Sequence, residues 1–536
     1  MADGSPTQRI PLVLKPENRD QTAAKDAKII NAFVEKVGEN EYEVYKRPGL
    51  GVYQALTAAS GSGCYNWNGN IYAVFGTTLY RNGVSIGTVD GTNGKYTFSS
   101  NQNVVPQLFL HNGVAAYVWN GTTLSTVANN LSTVQTFTAN TTSGSTTVSS
   151  TSINTSLLAV GDAVTGAGIP NATYIASITN STTFVLTLPA TATASGVNIQ
   201  ASGAGYPGSS STPICHGVAW LDGTMYVLDT TGKIWASNYN DSTAWPGNFI
   251  TAQSEQDGGV AIARQLTNII AMKQWTTEVF YDAANSTGSP LAPVQANKQA
   301  FGCANADTVV TISDRLLWLA TNRSGAKQVV IMENLVCKPV STPAIERLLD
   351  NANVTQAYGW QHKEMGHIFY GITMPLANLT IVYDLESRMW YQWTDPSGNY
   401  FPVVDSTYIT SGQGHIMQHI SNGNLMTPAD TTYNDLGSVF PVDLYTPKFD
   451  GGTRFNKYLT SLEIIGDTTS GSSMQVRFSD DDYQTWTNFR GMDMSRQRPM
   501  LWDCGTFRYR AFHFRHKANT FMRISAVDLQ LMLGTL

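Results

Sequence analysis

Short runs of apolar residues, mostly four to seven long and often alternating with polar ones, recur along the whole chain and are separated by turn residues. Three stretches repeat one pattern of apolar strand, Asn-Gly or Asp-Gly turn, and strand carrying Tyr. They read CYNWNGNIYAVFGTTLYRNG from Cys64, LFLHNGVAAYVWNGTTL from Leu108 and HGVAWLDGTMYVLDTTGKIWAS from His216. Asn68-Gly69, Asn112-Gly113, Asn120-Gly121 and Asp222-Gly223 are each expected to supply the positive φ angles of a two-residue hairpin turn. A unit of short meandering strands repeated along a chain predicts an all-β fold with a β-propeller core, or another repeated-sheet fold.

The pattern also divides the chain. Residues 1–52 read as an N-terminal arm: a short extended piece from Ile10 to Leu14, then DAKIINAFVEKV, which suits a short helix or a strand, then a turn at Arg47-Pro48-Gly49. Residues 53–130 begin the propeller and 203–440 resume it. Between them, residues 131–202 read as an inserted Ser/Thr/Gly-rich β-module, because Thr, Val and Ile favour strand throughout. STPAIERLLDNANV is the one amphipathic helix expected, capped by Ser341 or Thr342 and facing inward through Ile345, Leu348 and Leu349. Residues 441–536 read as a C-terminal β-domain.

Composition sharpens this picture. Charged residues are only 13% of 536, about half the usual share, so Thr, Ser, Asn and Gly must cover the surface. The net charge of −6 gives no sign of a general nucleic-acid binder. No apolar run has the length of a signal peptide core at the N-terminus or of a membrane span elsewhere. Five scattered cysteines, Cys64, Cys215, Cys303, Cys337 and Cys504, form no CxxC pair and read as free core thiols of a protein made in a reducing cytosol.

Candidate chemistry is sparse. SDDDYQTW approximates an Asp-box through Ser479, Asp481, Thr485 and Trp486, with Tyr483 where Gly is expected. In such a box the Asp side chain accepts bonds from turn amides and the Trp packs beneath the hairpin, so its role is structural. A calcium site on Asp480, Asp481 and Asp482 lacks a second ligand cluster. His513 and His516, three apart on a strand, fall on opposite faces and make a poor metal pair. No HExxH, Gly-x-Ser-x-Gly or phosphate-cradling loop occurs, and neither an enzyme activity nor a cofactor is expected. Residues 488–523 hold Arg490, Arg496, Arg498, Arg508, Arg510, Arg515, Lys517 and Arg523 against Asp493 and Asp503, a local net of +6 with aromatics interleaved. This reads either as a basic patch facing DNA or an acidic neighbour, or as a sheet face with paired arginines. Arg508 and Arg510 are expected on one face.

Four regions together resemble the tail-hub or nozzle proteins of short-tailed bacteriophages, the packaged-DNA stabilisation proteins. They are INAFVEKV…YEVYKRPGLGVY, NWNGNIYAVFGTTLYRNG, IERLLDN…GHIFYGITMPLANLTIVYDLESRMWYQW and VRFSDDDYQTWTNFR with the basic and apolar strands after it. The resemblance implies a structural virion protein of the tail, assembled in the host cytoplasm as a homo-oligomer, a hexameric ring. The ring would sit below the head-to-tail adaptor, meet tail needle, fibre or spike proteins, and carry double-stranded DNA in transit. The alternative is a host-surface glycan-binding or sialidase-like propeller, in which exposed aromatics such as Trp245 and Trp360 would stack on sugars.

Overall fold

The computed structural model describes residues 7–10, 12, 27–38, 41–127, 135–155, 158, 160–171, 173–202, 205–285, 288–409, 414–429 and 431–534. The expected extended piece at Ile10 to Leu14 lies largely outside them. The fold is all-β with a propeller core. Contacts divide the chain into a middle unit, residues 62–339, and an end unit that joins residues 1–61 to 340–536.

In the middle unit, five four-stranded antiparallel meanders follow one another at 61–88, 97–126, 219–251, 259–299 and 310–339. Each is stitched by turns that its own sequence encodes. Asn68 and Gly69 both take positive φ, as do Asn82 with Gly83 and Asp222 with Gly223, so these are turns of the I′ kind. Asn112 and Asn120 depart from the expectation: only Gly113 and Gly121 after them have positive φ. There the Asn side chain does the work, its carbonyl accepting from the amides two and three residues on, 3.1 and 3.0 Å at Asn112 and 3.0 and 2.8 Å at Asn120. Apolar faces of the meanders pack into separate small cores, one around Trp67, Tyr72 and Leu110, another around Tyr226, Ile234 and Phe280, a third around Met272, Trp318 and Val330.

Residues 135–202 form a six-stranded sheet in the order Ala163–Gly166, Ala194–Ser202, Gln135–Thr141, Thr147–Ser149, Thr183–Leu186, Ile175–Asn180. It has its own core of Phe137, Val148, Val164, Phe184 and Ile199. The alternation that made this stretch read as strand is the alternation that buries this core.

The end unit is stitched over long sequence distances. Two more meanders occur there. The strands at Val403–Tyr408, His415–His419 and Asn424–Ala429 take Gly49–Ala55 as their fourth strand. The strands from Tyr358–Glu364 to Trp390–Gln392 continue through Lys28–Ile30 into Val442–Tyr445, Ala511–His516, Ser473–Ser479 and Arg490–Asp493, making one nine-stranded sheet. A seven-stranded sheet pairs Ala32–Lys36 and Tyr42–Lys46 with the C-terminal strand Arg523–Leu533 and with Lys457–Gly466. DAKIINAFVEKV is therefore two strands. They break at Asn31, which takes φ +56 and donates to Thr394 Oγ1 at 2.7 Å and to the Pro441 carbonyl at 2.8 Å. The helix runs Pro343–Asn351 with Thr342 as cap. Ile345 and Leu349 are buried, while Leu348, off that i, i+4 stripe, is 39% exposed.

Candidate functional site

The basic stretch does not form one free cationic patch, because acids distant in sequence fold against it. Arg498 makes two hydrogen bonds to Glu463 (2.9 and 2.7 Å), and Arg510 two to Asp480 (2.7 and 2.8 Å). Arg515 pairs with Asp443 at 2.7 Å, Arg523 with Asp467 and Glu43, and Arg496 with Asp493 at 3.5 Å. Arg508 and Arg510 do not share a face. They precede the strand Ala511–His516 in irregular backbone, where Arg510 turns inward between the rings of Phe478 and Phe507 and is 3% exposed. Arg508 stays in solvent on Asn456 Oδ1 at 3.2 Å. Lys517 is exposed. Arg490 donates to the carbonyls of Trp502 (2.6 Å) and Asp503 (3.0 Å).

The Ser479–Trp486 turn is organised by one carboxylate. Asp481 Oδ1 accepts from the Thr485 amide and the Ser479 hydroxyl, each at 2.9 Å, and Oδ2 accepts from the Thr485 hydroxyl. These bonds hold the Asp481 carboxyl below its ordinary range. The neighbouring acids are engaged too, Asp480 by Arg510 and Asp482 by Lys448 at 2.5 Å, and among the described residues no cluster of three metal-ligating groups occurs. The turn lays Trp486 against Tyr445 and His513. Beneath it, Arg477 Nε donates to His513 Nδ1 at 2.8 Å, so the ring proton sits on Nε2 and is donated to Asp443 at 2.6 Å. Burial lowers the His513 pKa and keeps the imidazole neutral. Burial opposes ionisation of Asp443, but the bonds from His513 and Arg515 outweigh it and hold its pKa low. Arg477 stacks between Trp486 and Phe489, and Lys28 over Tyr445. The chemistry available is ion pairing and ring stacking, with no nucleophile–base pair.

In the middle unit, the first strands of four meanders line a cavity of about 850 Å³. Tyr65 and Phe98 stack on its wall with ring centroids 5.7 Å apart. His216 Nδ1 pairs with Asp307, and Arg264 lies over Trp220. Trp245 and Trp360, candidates for sugar stacking, are 1% and 0% exposed. Their indole N–H groups are spent on the Ser242 carbonyl and the Thr373 hydroxyl, so neither offers a face to a glycan.

Two buried cations carry more structural consequence than any residue singled out from the sequence. Arg47 is 1% exposed, makes two bonds to Asp435 (2.9 and 2.5 Å) and lies 3.7 Å from the Phe440 ring centroid. Lys273 is 0% exposed, with Asp257 and Glu278 each at 2.8 Å. A lone Lys inside the apolar run IIAMKQW is a sequence signal for such a pair. Arg47 gives none, because Asp435 stands 388 residues away. All five cysteines are free and buried.

Comparison with known proteins adds a family. Residues 171–399 match the family described as "Bacteriophage P22 Gp10, beta-propeller". No curated protein matches the chain. Among solved structures, the N-terminal domain of Nup159 is similar over 75% of this chain and 98% of its own, at 9% identity and a TM-score of 0.34. The computationally designed Ika8 protein covers 70% and 98% at 8% identity and TM-score 0.33, and YCF48 bound to D1 peptide covers 72% and 98% at 10% and 0.35. The family match supports a bacteriophage structural protein with a DNA-stabilisation role.

Proposed function

We propose that the chain is a tail-hub or nozzle subunit. Six copies form a ring that extends the DNA channel below the head-to-tail adaptor, retains packaged DNA and conducts it during ejection. The observation that carries this reading is the match of residues 171–399 to the phage family. The charge distribution supports it. A wall that passes DNA must not grip it, and five of the seven arginines in the basic stretch are taken up by carboxylates. On this reading the module at 131–202 decorates the outside of the tail, and needle, fibre or spike proteins join the ring. The protein is a structural component with no turnover. Among the described residues no helix is long and apolar enough to cross a membrane.

The test is electron microscopy of the purified protein, alone and mixed with its adaptor. Closed six-fold rings with a channel wide enough for duplex DNA are expected. Particles that remain single copies in the presence of the adaptor would overturn the proposal.

A further inference from the structure

One face of the seven-stranded sheet ends in an apolar cluster that the fold leaves in water. Trp502 is 53% exposed, the one tryptophan more than half exposed among the described residues. Its neighbours follow from the register. Ser461 lies opposite Trp502 on one side of the strand Lys457–Gly466, and Tyr458 lies opposite Met532 on the other. Met532 is 42% exposed and Phe455, at the start of the same strand, 41%.

This face is held rigidly. Asp503 takes φ +53 beside Trp502, and its carboxylate accepts from the Tyr458 hydroxyl at 3.1 Å. Arg490 clamps the backbone of Trp502 and Asp503 from the outside. The strand end is pinned by the Gly534 amide on the Asn456 carbonyl at 2.8 Å.

The rim is cationic, and its cations are those that the fold does not pair with carboxylates. Arg508 reaches only the Asn456 amide oxygen, Arg490 binds carbonyls, and Arg454 is exposed next to Phe455. The nearby acids are engaged, Asp503 with Tyr458 and Asp450 with the Gly452 amide at 2.9 Å. An exposed Trp, Tyr and Met cluster ringed by arginine has the composition of an interface centre.

The charge of the remaining chain points to the occupant. The chain's net −6, less the +6 of residues 488–523, leaves −12 on everything else. A cationic apolar patch on an otherwise acidic chain is complementary to a different surface of the same chain. Contact between unlike surfaces of identical subunits closes into rings. We infer that the Trp502 face is one half of a head-to-tail contact between copies of this protein. The inference rests on the ring reading above and assigns a surface to it.

Sedimentation velocity from about 1 to about 50 μM tests it. The wild-type protein is expected to assemble. Trp502→Ala should weaken assembly at least about tenfold, the loss typical of a central aromatic anchor. Arg454→Glu with Arg508→Glu should weaken it too, and these exposed positions keep the test open if Trp502→Ala misfolds. Tyr239→Ala, which removes an exposed aromatic of the middle unit, serves as control and should assemble like wild type. If wild type and all variants assemble equally, the Trp502 face is overturned and the ring stands. A wild-type protein that stays monomeric at the highest concentration overturns both.

Discussion

The middle and end units use the same strands and turns but are closed in opposite ways. In the middle unit each sheet is complete within about 30 to 40 consecutive residues, and its hairpins carry their own turn signals. In the end unit the sheets are completed by strands from the other end of the chain. Tyr45 pairs with Arg523, and Lys28 with Tyr445. Both units bury a cation, and the same contrast appears there. Lys273 finds its carboxylates 16 and 5 residues away, Arg47 its own 388 residues away. Local closure makes a unit legible and self-sufficient. Distant closure makes it depend on both ends of the chain being present.

The strongest way to break this comparison is to delete residues 1–46. That removes the strands Lys28–Ile30, Ala32–Lys36 and Tyr42–Lys46, together with Phe33, Val34 and Val44 from the end unit's core. The expected result is loss of amide protection throughout 340–534, while the strands at 219–339 keep theirs in hydrogen-exchange mass spectrometry. Protection lost equally in both units, or kept in both, would refute the distinction.

Next in size are the buried cations. Lys273→Met leaves Asp257 and Glu278 facing each other without a cation, and Arg47→Met leaves Asp435 unpaired beneath Phe440. Removing one partner of a buried pair costs about 3–5 kcal/mol. Each loss should appear only in its own unit, read as a shifted denaturant midpoint for tryptophans of that unit. A shift below about 1 kcal/mol at either site would mean that the cation is dispensable.

What the sequence allowed to be read follows the same division. The meanders at 61–88, 97–126 and 219–251 were legible because strand, turn and strand lie side by side and Asn-Gly or Asp-Gly marks the turn. Strand content at 135–202 was legible from alternation alone. The pairing of Ala32–Lys36 and Tyr42–Lys46 with Arg523–Leu533 left no local mark, since a strand's pattern shows which face it buries and not which strand lies beside it. The arginines of 488–523 looked like a patch for the same reason: Glu463, Asp467, Asp480 and Asp443 are outside the window in which charge was counted. Arg508 and Arg510 separated because they sit before a strand, where the period-2 rule does not hold.

Acid provides a subtler test. Burial pushes His111 and His516 down to about 3 and His415 and His419 down to about 4. An unfolded histidine takes up its proton near 6.5, so in this window the unfolded chain binds protons that the folded chain does not. The stability involved is complete above about pH 6.5 and is lost as pH falls toward 4. Three of these four residues lie in the end unit and only His111 in the middle unit. His367 works the other way: burial disfavours its charged form, but Asp384 outweighs that and raises its pKa, so its contribution is present in acid and lost as pH rises. The end unit should therefore lose amide protection first on acidification from pH 7 to 4.5. Middle-unit strands exchanging first would show that proton uptake does not set the order.

The smallest effects separate arginines that look alike in sequence. Arg510 and Arg498 each make two bonds to one carboxylate, yet Arg510 is buried between two rings and Arg498 is 69% exposed at its side chain. Arg510→Ala removes ring stacking, bonds to the Cys504 and Thr506 carbonyls and the pair with Asp480, and should cost about 2–3 kcal/mol. Arg498→Ala removes a pair that water and salt screen, and should leave the denaturant midpoint where it was. Asp480→Asn should reproduce part of the Arg510→Ala loss, because the guanidinium keeps its rings and carbonyls. If Arg498→Ala and Arg510→Ala moved the midpoint equally, burial would not be what distinguishes them. The net charge of the segment would then describe its energetics better than the pairing does.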